Sequence, residues 1–426
     1  MKRSRNDLRK IGQTETLRKI MSFQKELIPL AGAWLAKLPN VEAKYLTARH
    51  LYQWAAHVQA IRQRLKELPG GKPNAALHPA LADVAEEMLF AQGEEAFLGA
   101  MYGTLLPAIR DGYALYMDDR HELPDRPTFA LLKQIALELE EQIRYGQMYL
   151  ERRQANTERD SDWAAHVRAL LEAAGGILAE DATGTIGSLR RFAGANYAFS
   201  ERPHRPEGAH LTNVFPIDGY EGSLLGGELL LERVALAIWL YNEMDAVEIL
   251  GSVLYEVKGM PWEFYYDVAR HTWDEARHSE FGNRLLDLFG FRPEEFETTF
   301  GAYSATMALA PHERYLAITH IYEPGSFQIK PGFLERLAAE TDRTDLVLEL
   351  LKFDLADETT HVKYGHKWAQ DLLRQAGEER TVQEAVEQIG KRLEFLYADI
   401  AASFKRTMPE DRRHTTETVL RHMRQA

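Results

Sequence analysis

The chain contains no cysteine among its 426 residues. That excludes disulfides, thiolate metal sites, iron–sulfur clusters and a cysteine nucleophile. Histidine and carboxylates remain as the strong metal ligands, a set that suits hard or borderline ions. Long apolar runs are also missing: none approaches the roughly 18–20 residues needed to span a bilayer. The opening "MKRSRNDLRKIGQTETLRKI" is basic but has no apolar h-region, so it does not read as a secretory signal, and a cytoplasmic location with no membrane partner is expected. Positive charge is not in excess. The formal net charge of −13 argues against a nucleic-acid partner. Alternating strand patterns are scarce.

Helical periodicity fills the space that strands leave. Apolar residues recur at three- and four-residue steps in 79–109, 128–153, 227–259 and 261–290, and the expected fold class is all-α. Gly- and Pro-rich turns fall at 68–74, 121–128 and 258–261. The stretch 181–222 differs, with "GTIGS", "ERPHRPEGAH" and "FPIDGYEG". It reads as a connector between an N-terminal helical domain (1–180) and a second helical domain (223–376). Residues 377–426 follow as C-terminal helices, one long and one shorter.

One nine-residue pattern occurs twice. "DEARHSEFG" starts at Asp274 and "DETTHVKYG" at Asp357; both read Asp-Glu-x-x-His-x-x-aromatic-Gly. Each lies on a helical stripe. The first runs Val268, His271, Glu275, His278, Gly282, Leu285, Phe289. The second runs Val347, Leu351, Asp354, Glu358, His361, Gly365, Trp368. A carboxylate on an inward face is costly unless it is paired or bound to a cation, and Glu at i with His at i+3 can grip one ion. Glu-x-x-His alone is common. Glu201/His204 and Glu207/His210 also fit, but they fall in the connector and read as chance. The two helical copies stand apart because both are inward, both follow Asp and both precede aromatic-Gly.

Di-iron and di-manganese carboxylate bundles need one further Glu from each of two other helices. Residues level in a helical hairpin lie equally far from its turn. Reflecting Glu275 through 259–261 lands at Glu243; its rival Glu248 sits about 140° further round the helix. Reflecting Glu358 through 340–345 lands near Glu323, with Glu313 as the rival. The set Glu243, Glu275, His278, Glu323, Glu358 and His361 resembles the ferritin-like di-iron carboxylate superfamily. More narrowly, "NEMDAVEIL", "GMPWEFYYDVARHTWDEARH" and "DETTHVKYGHKWA" resemble a bacterial ferritin-like family of largely unassigned function, related to tRNA-modifying ferritin-like hydroxylases.

The resemblance spans roughly 223–372. It implies a ferritin-like four-helix bundle with two Fe ions, or Mn or mixed Mn/Fe, held by those six residues. It also implies that Asp274 and Asp357 accept hydrogen bonds from the ligand histidines, although both also read as helix-surface acids. His271 and His320 read as core or outer groups, and Tyr241, Tyr322 and Tyr364 as core packing. The implied activity is a non-haem di-iron oxidase or hydroxylase that uses dioxygen on a small organic substrate. An external electron donor and a homodimer are compatible with it. The alternatives are a ferroxidase, an iron store, a manganese catalase-like protein or a non-catalytic scaffold.

The N-terminal half reads as a degenerate second bundle. "LLKQIALELEEQIRYG" (131–146) aligns without a gap on "LLKFDLADETTHVKYG" (350–365), placing Leu139 at Glu358 and Gln142 at His361. Laying 93–103 on 274–284 places Glu94 at Glu275 and Phe97 at His278. No metal site is expected there. Finally, Pro324 and the glycines at 325 and 332 predict an irregular segment from 324 to 332, with the helix ending at Glu323 and Phe327 and Ile329 lining a substrate cavity.

Overall fold

A computed structural model describes residues 12–407, apart from 75, 119, 121, 154–156, 180–185, 208, 210, 213–228, 297 and 341–344. The described residues are all-helical with almost no strand. The chain divides into two compact units. One comprises Met1–Trp34 and Arg49–Ala198; the other comprises Leu35–Ala48 and Phe199–Ala426. The expected connector at 181–222 lies partly outside the described residues, as do the shorter terminal helix and His210.

In the N-terminal unit the main helices are α1 (Gly12–Leu35), α2 (Val41–Glu67), α3 (Pro79–Met88), α4 (Glu94–Ala100), α5 (Leu106–Asp118), α6 (Arg126–Arg152) and α7 (Thr157–Ala173), with a single turn α8 (Ile186–Leu189). Leu35 and the first residues of α2, 41–48, group with the other unit. The continuous pattern read over 79–109 is broken. Gly93, at φ +118°, starts α4, and a π-helical turn at Met101–Leu105 joins α4 to α5.

The C-terminal unit contains α9 (Leu229–Asn242), α10 (Met244–Glu256), α11 (Trp262–Leu288), α12 (Gly301–Met307), α13 (Pro311–Ala317), α14 (Glu323–Ser326), α15 (Lys330–Glu340), α16 (Leu346–Gln375) and α17 (Val382–Thr407). Strands β1 (Leu211–Thr212) and β2 (Thr298–Thr299) form one short parallel pair. Asp345 starts α16 by accepting from the amides of Val347 and Leu348, and Gly377, at φ +74°, follows its end. The core between α9, α11, α15 and α16 is built from residues such as Ala237, Leu240, Leu285, Phe333 and Leu351. A second core joins α12, α13, α16 and α17 through Leu309, Leu316, Leu373 and Ile389.

Three backbone features position the site. First, the helix expected over 227–259 breaks at Glu243. The Asn242 amide donates to the Ile238 carbonyl while its oxygen accepts from the Thr299 amide, which diverts the chain between α9 and α10. Second, Gly282 lets α11 approach α9 closely: a Cβ there would stand 2.2 Å from the Tyr241 nitrogen. Third, a π-helical turn at Ile318–Tyr322 joins α13 to α14 and leads directly to Glu323. Gly365 on α16 faces this turn; a Cβ there would stand 2.4 Å from Thr319. Gly146 on α6 faces the other π turn in the same way, with a Cβ position 2.1 Å from the Tyr102 ring.

The segment after Glu323 corrects the sequence reading. The helix continues through α14 to Ser326, and after a turn at 327–329 a new helix begins at Lys330. Pro324 sits directly after the π turn, within a helical run that is unbroken from Pro311 to Ser326. Ile329 is 37% exposed, and Phe327 is half-buried.

Candidate metal centre

Helices α11 and α16 present the two repeated motifs inward. Glu275, His278, Glu358 and His361 are all buried, and so are Glu323 from α14 and the neighbouring His271 and Asp354. Glu243, at the α9–α10 break, is the least covered of the group, with its side chain 11% exposed. Around these residues three sets of donor atoms fall close enough together to hold a cation: His271, Glu275, Glu323 and His361; Glu243, Glu275 and His278; and Glu243, Asp354 and Glu358; a fourth set among the described residues, His312, Glu313 and Glu378, shares no member with them. The first two sets share Glu275.

The distances are short. His361 Nδ1 lies 3.1 Å from a Glu275 oxygen and 3.3 Å from a Glu323 oxygen. His271 Nε2 lies 2.6 Å from the same Glu323 oxygen. His278 Nδ1 lies 3.2 Å from Glu243 and 3.3 Å from Asp354.

Each motif histidine is oriented from outside. His278 Nε2 is 3.3 Å from Asp357, and His361 Nε2 is 3.3 Å from Asp274. Each aspartate therefore serves the histidine of the opposite motif, across α11 and α16. Arg277 bonds both aspartates at 2.5 Å, and Arg270 bonds Asp274 at 2.7 Å. With Nε2 so engaged, Nδ1 of each ring is the nitrogen left to face the carboxylates.

The inward atoms have no hydrogen-bond partners in the protein. They include Nδ1 of His278 and His361, both nitrogens of His271, both oxygens of Glu323, Oε2 of Glu243 and Oδ2 of Asp354. Buried polar atoms are rarely left unpaired. A cluster of imidazole nitrogens and carboxylate oxygens, mutually close and unpaired, matches the donor chemistry of a divalent iron, manganese or zinc ion. The residues therefore fit such a centre.

Charge is tightly balanced here. Burial alone would lower both histidines. Neighbouring carboxylates outweigh it, Asp354 and Asp357 at His278 and Asp274 and Glu275 at His361, and hold both well above the usual imidazole range. Burial opposes ionisation of Glu275 too, but the surrounding histidines keep it well below the carboxylate range. At Asp274 burial is likewise overcome, by hydrogen bonds from His361 and Arg270, and its pKa falls. Burial raises Glu243 and pushes Glu358 up to about 8.

The six residues expected from sequence lie together, but their grouping differs from the expectation. His271, read as a core or outer group, faces Glu323 and completes the first set. Glu358 faces Lys330 Nζ and Ser326 Oγ, to both of which it is hydrogen-bonded. Lys330 also donates to Glu243 at 2.8 Å and Asp354 at 2.9 Å.

The rivals are engaged elsewhere. Glu248 pairs with Lys44 and Arg205, and Glu313 bonds Arg380 and the Ala310 amide. His320 bonds Thr319 Oγ1 through Nδ1. Glu201 is exposed, and the His204 amide donates to the Ala36 carbonyl. Lys330 and Asp354 were not foreseen as site members. Asp354 was signalled by its place on the inward stripe. Lys330 carried no signal, since a lysine opening a helix reads as a solvent group.

The N-terminal unit carries similar wiring, with the inward carboxylates replaced by Gln24 and Trp54 and the outer one kept as Glu138. On α2, His50, Trp54 and His57 have the four- and three-residue spacing of His271, Glu275 and His278. Gln24 bonds His57 Nδ1 at 3.0 Å, as Glu243 faces His278 Nδ1. Glu138 bonds His57 Nε2 at 2.8 Å, as Asp357 bonds His278 Nε2. Trp54 donates to Gln142 at 2.8 Å, and Gln142 donates to Gln53 at 3.0 Å, as His361 links Glu275 and Asp274.

Leu106-Pro107, just after one π turn, stands where Glu323-Pro324 follows the other. The alignment of 131–146 on 350–365 agrees with this wiring; the alignment of 93–103 on 274–284 does not. Residues 94–100 form α4, which leads into a π turn as α13 does, and the counterpart of the first motif lies on α2.

Residues 232–401 match the model of a family described as "Protein of unknown function (DUF455)". No curated protein and no solved structure matches the chain. Among the described residues, no helix is long and apolar enough to cross a membrane.

Proposed function

We propose that the C-terminal unit is a ferritin-like four-helix bundle holding a dinuclear metal centre, and that the protein is an oxidase or hydroxylase using dioxygen on a small organic substrate. The observation that carries this reading is the pair of buried donor sets joined by Glu275. One carboxylate with an oxygen in each set is suited to bridge two ions. His271, Glu323 and His361 would hold one ion; Glu243 and His278 would hold the other. The chemistry such a pair of redox-active ions supplies is electron transfer to dioxygen.

The chain's own residues do the rest. Asp274 and Asp357 fix the tautomers of His361 and His278, so Nδ1 is the donor nitrogen in both. Arg270 and Arg277 hold those aspartates in place. Burial of the whole group keeps bulk water away from the carboxylates. The N-terminal unit is proposed as a metal-free counterpart of the same bundle, because its matching wiring lacks the inward carboxylates.

Metal analysis, with optical spectra of the ferrous protein before and after oxygen, tests the reading. Two ions per chain and an oxygen-dependent spectral change are expected. A chain that binds no divalent ion refutes it. Oxygen consumption that loads iron into the protein without any organic co-substrate would favour a ferroxidase instead.

A further inference from the structure

Lys330 is unusual among the buried residues. Its side chain is 0% exposed, and its ammonium contacts Glu243, Asp354 and Glu358, the whole of the third donor set. It also lies 5.5 Å from the centre of the Trp239 ring. A buried lysine with three carboxylates is a cation in a site built for one. The residue opens α15, so the backbone that carries it is fixed by the turn following Ser326.

Charge gives this position its meaning. Five carboxylates face the centre: the buried Glu275, Glu323, Asp354 and Glu358 and the largely covered Glu243. The outer aspartates are matched by Arg270 and Arg277. With all five carboxylates ionised, two divalent ions alone would leave them one positive charge short, and one ammonium closes that gap.

The geometry points to Lys330 as a tethered cation that permanently fills the third donor set, keeps a further divalent ion out of it, and so confines metal to the two sets that share Glu275. Asp354 is then the carboxylate that anchors the ammonium, and Glu243 is shared between the ammonium and the adjacent metal set. This inference rests on the metal reading above. It adds a residue that determines how many ions the centre accepts.

The test is a count of Mn(II) bound per full-length chain, by element analysis after gel filtration, with helicity checked by circular dichroism. Lys330→Met, close in shape but uncharged, should hold one Mn(II) more than the wild type. Adding Asp354→Asn to it should return the count to the wild-type value, because the third set then lacks a carboxylate. Lys330→Arg should keep the wild-type count.

A wild-type count in Lys330→Met, or an extra ion in Lys330→Arg, overturns the inference while leaving the metal centre standing. Failure of both Lys330→Met and Lys330→Gln to fold in excess Mn(II) also overturns it, since an ion should then take the ammonium's place. A wild-type chain that binds no Mn(II) removes the metal reading, and this inference with it.

Discussion

Adding a single methyl group at Gly282 probes how closely α9 and α11 must lie for the centre to form. An alanine Cβ there would stand 2.2 Å from the Tyr241 nitrogen and 2.4 Å from the Ala237 carbonyl oxygen. Both obstacles are backbone, so no side chain can rotate away and the helices must separate. Overpacking of this kind costs about 1–3 kcal/mol, with a rigid obstacle at the upper end. Alanine recovers about 1 kcal/mol of helix propensity over glycine. The net loss is therefore about 2 kcal/mol.

The separation also falls between two proposed ligands. Glu243 lies two residues beyond Tyr241, His278 lies one turn before Gly282, and the 3.2 Å approach between them would widen. Urea unfolding, with bound Mn(II) per chain measured in parallel, reads both effects. Gly282→Ala should unfold at lower urea and hold less metal. Gly325→Ala, where a Cβ meets nothing within 4 Å, should do neither. A Gly282→Ala protein with wild-type stability and metal content would refute the reasoning.

Four further outcomes are expected. His278→Ala or His361→Ala should lower the metal count by at least one ion per chain while helicity persists; full retention in both variants would contradict the assignment. A full chain carrying Glu275→Ala, His278→Ala and His361→Ala should show no Mn(II) in the N-terminal unit, because Gln24, Trp54, Leu139 and Gln142 stand there in place of Glu243, Glu275, Glu358 and His361; an anomalous signal near His57 would disprove this.

Burial, with Arg49 and His57 nearby, lowers His50 to about 3 from an ordinary 6.5. The unfolded chain therefore takes up a proton first, and stability is whole above pH 6.5 and falls as pH drops toward 3. The slope approaches ~1.4 kcal/mol per pH unit, and denaturant titrations of wild type and His50→Gln should differ by it. Glu248→Ala leaves Lys44 and Arg205 buried without their shared carboxylate and should cost about 3–5 kcal/mol, measurable as a lower unfolding midpoint.

The helices and the paired motifs were legible because both rest on local spacing. Glu275, His278, Glu358 and His361 fall on inward stripes whatever the tertiary detail, and Glu243 and Glu323 followed from hairpin geometry. What escaped was set by contacts distant in sequence. Lys330 looks like a solvent lysine until α15 folds back on Asp354, 24 residues away. The break at Glu243 depends on the Thr299 amide, 57 residues from Asn242. The π turns are invisible to a periodicity argument, because one inserted residue leaves the apolar pattern on either side intact. The irregular segment forecast for 324–332 gave undue weight to Pro324, which the helical run accommodates directly after its π turn.

The two π turns bear on how Glu323 comes to point where it does. A π turn holds one residue more than the α-helix it interrupts, and each α-helical residue advances the side chains by about 100°. Deleting one residue from Ile318–Tyr322 would swing Glu323 a quarter turn or more off the centre while leaving α13 untouched. The N-terminal unit keeps the same turn at Met101–Leu105, with Leu106 at the position after it and Gly146 packed against it as Gly365 packs against the other. The turn is thus a matter of helix packing shared by both units. The aim of Glu323 is written into the packing contacts of the scaffold, and under the proposed metal reading the side chain would be in place before an ion binds.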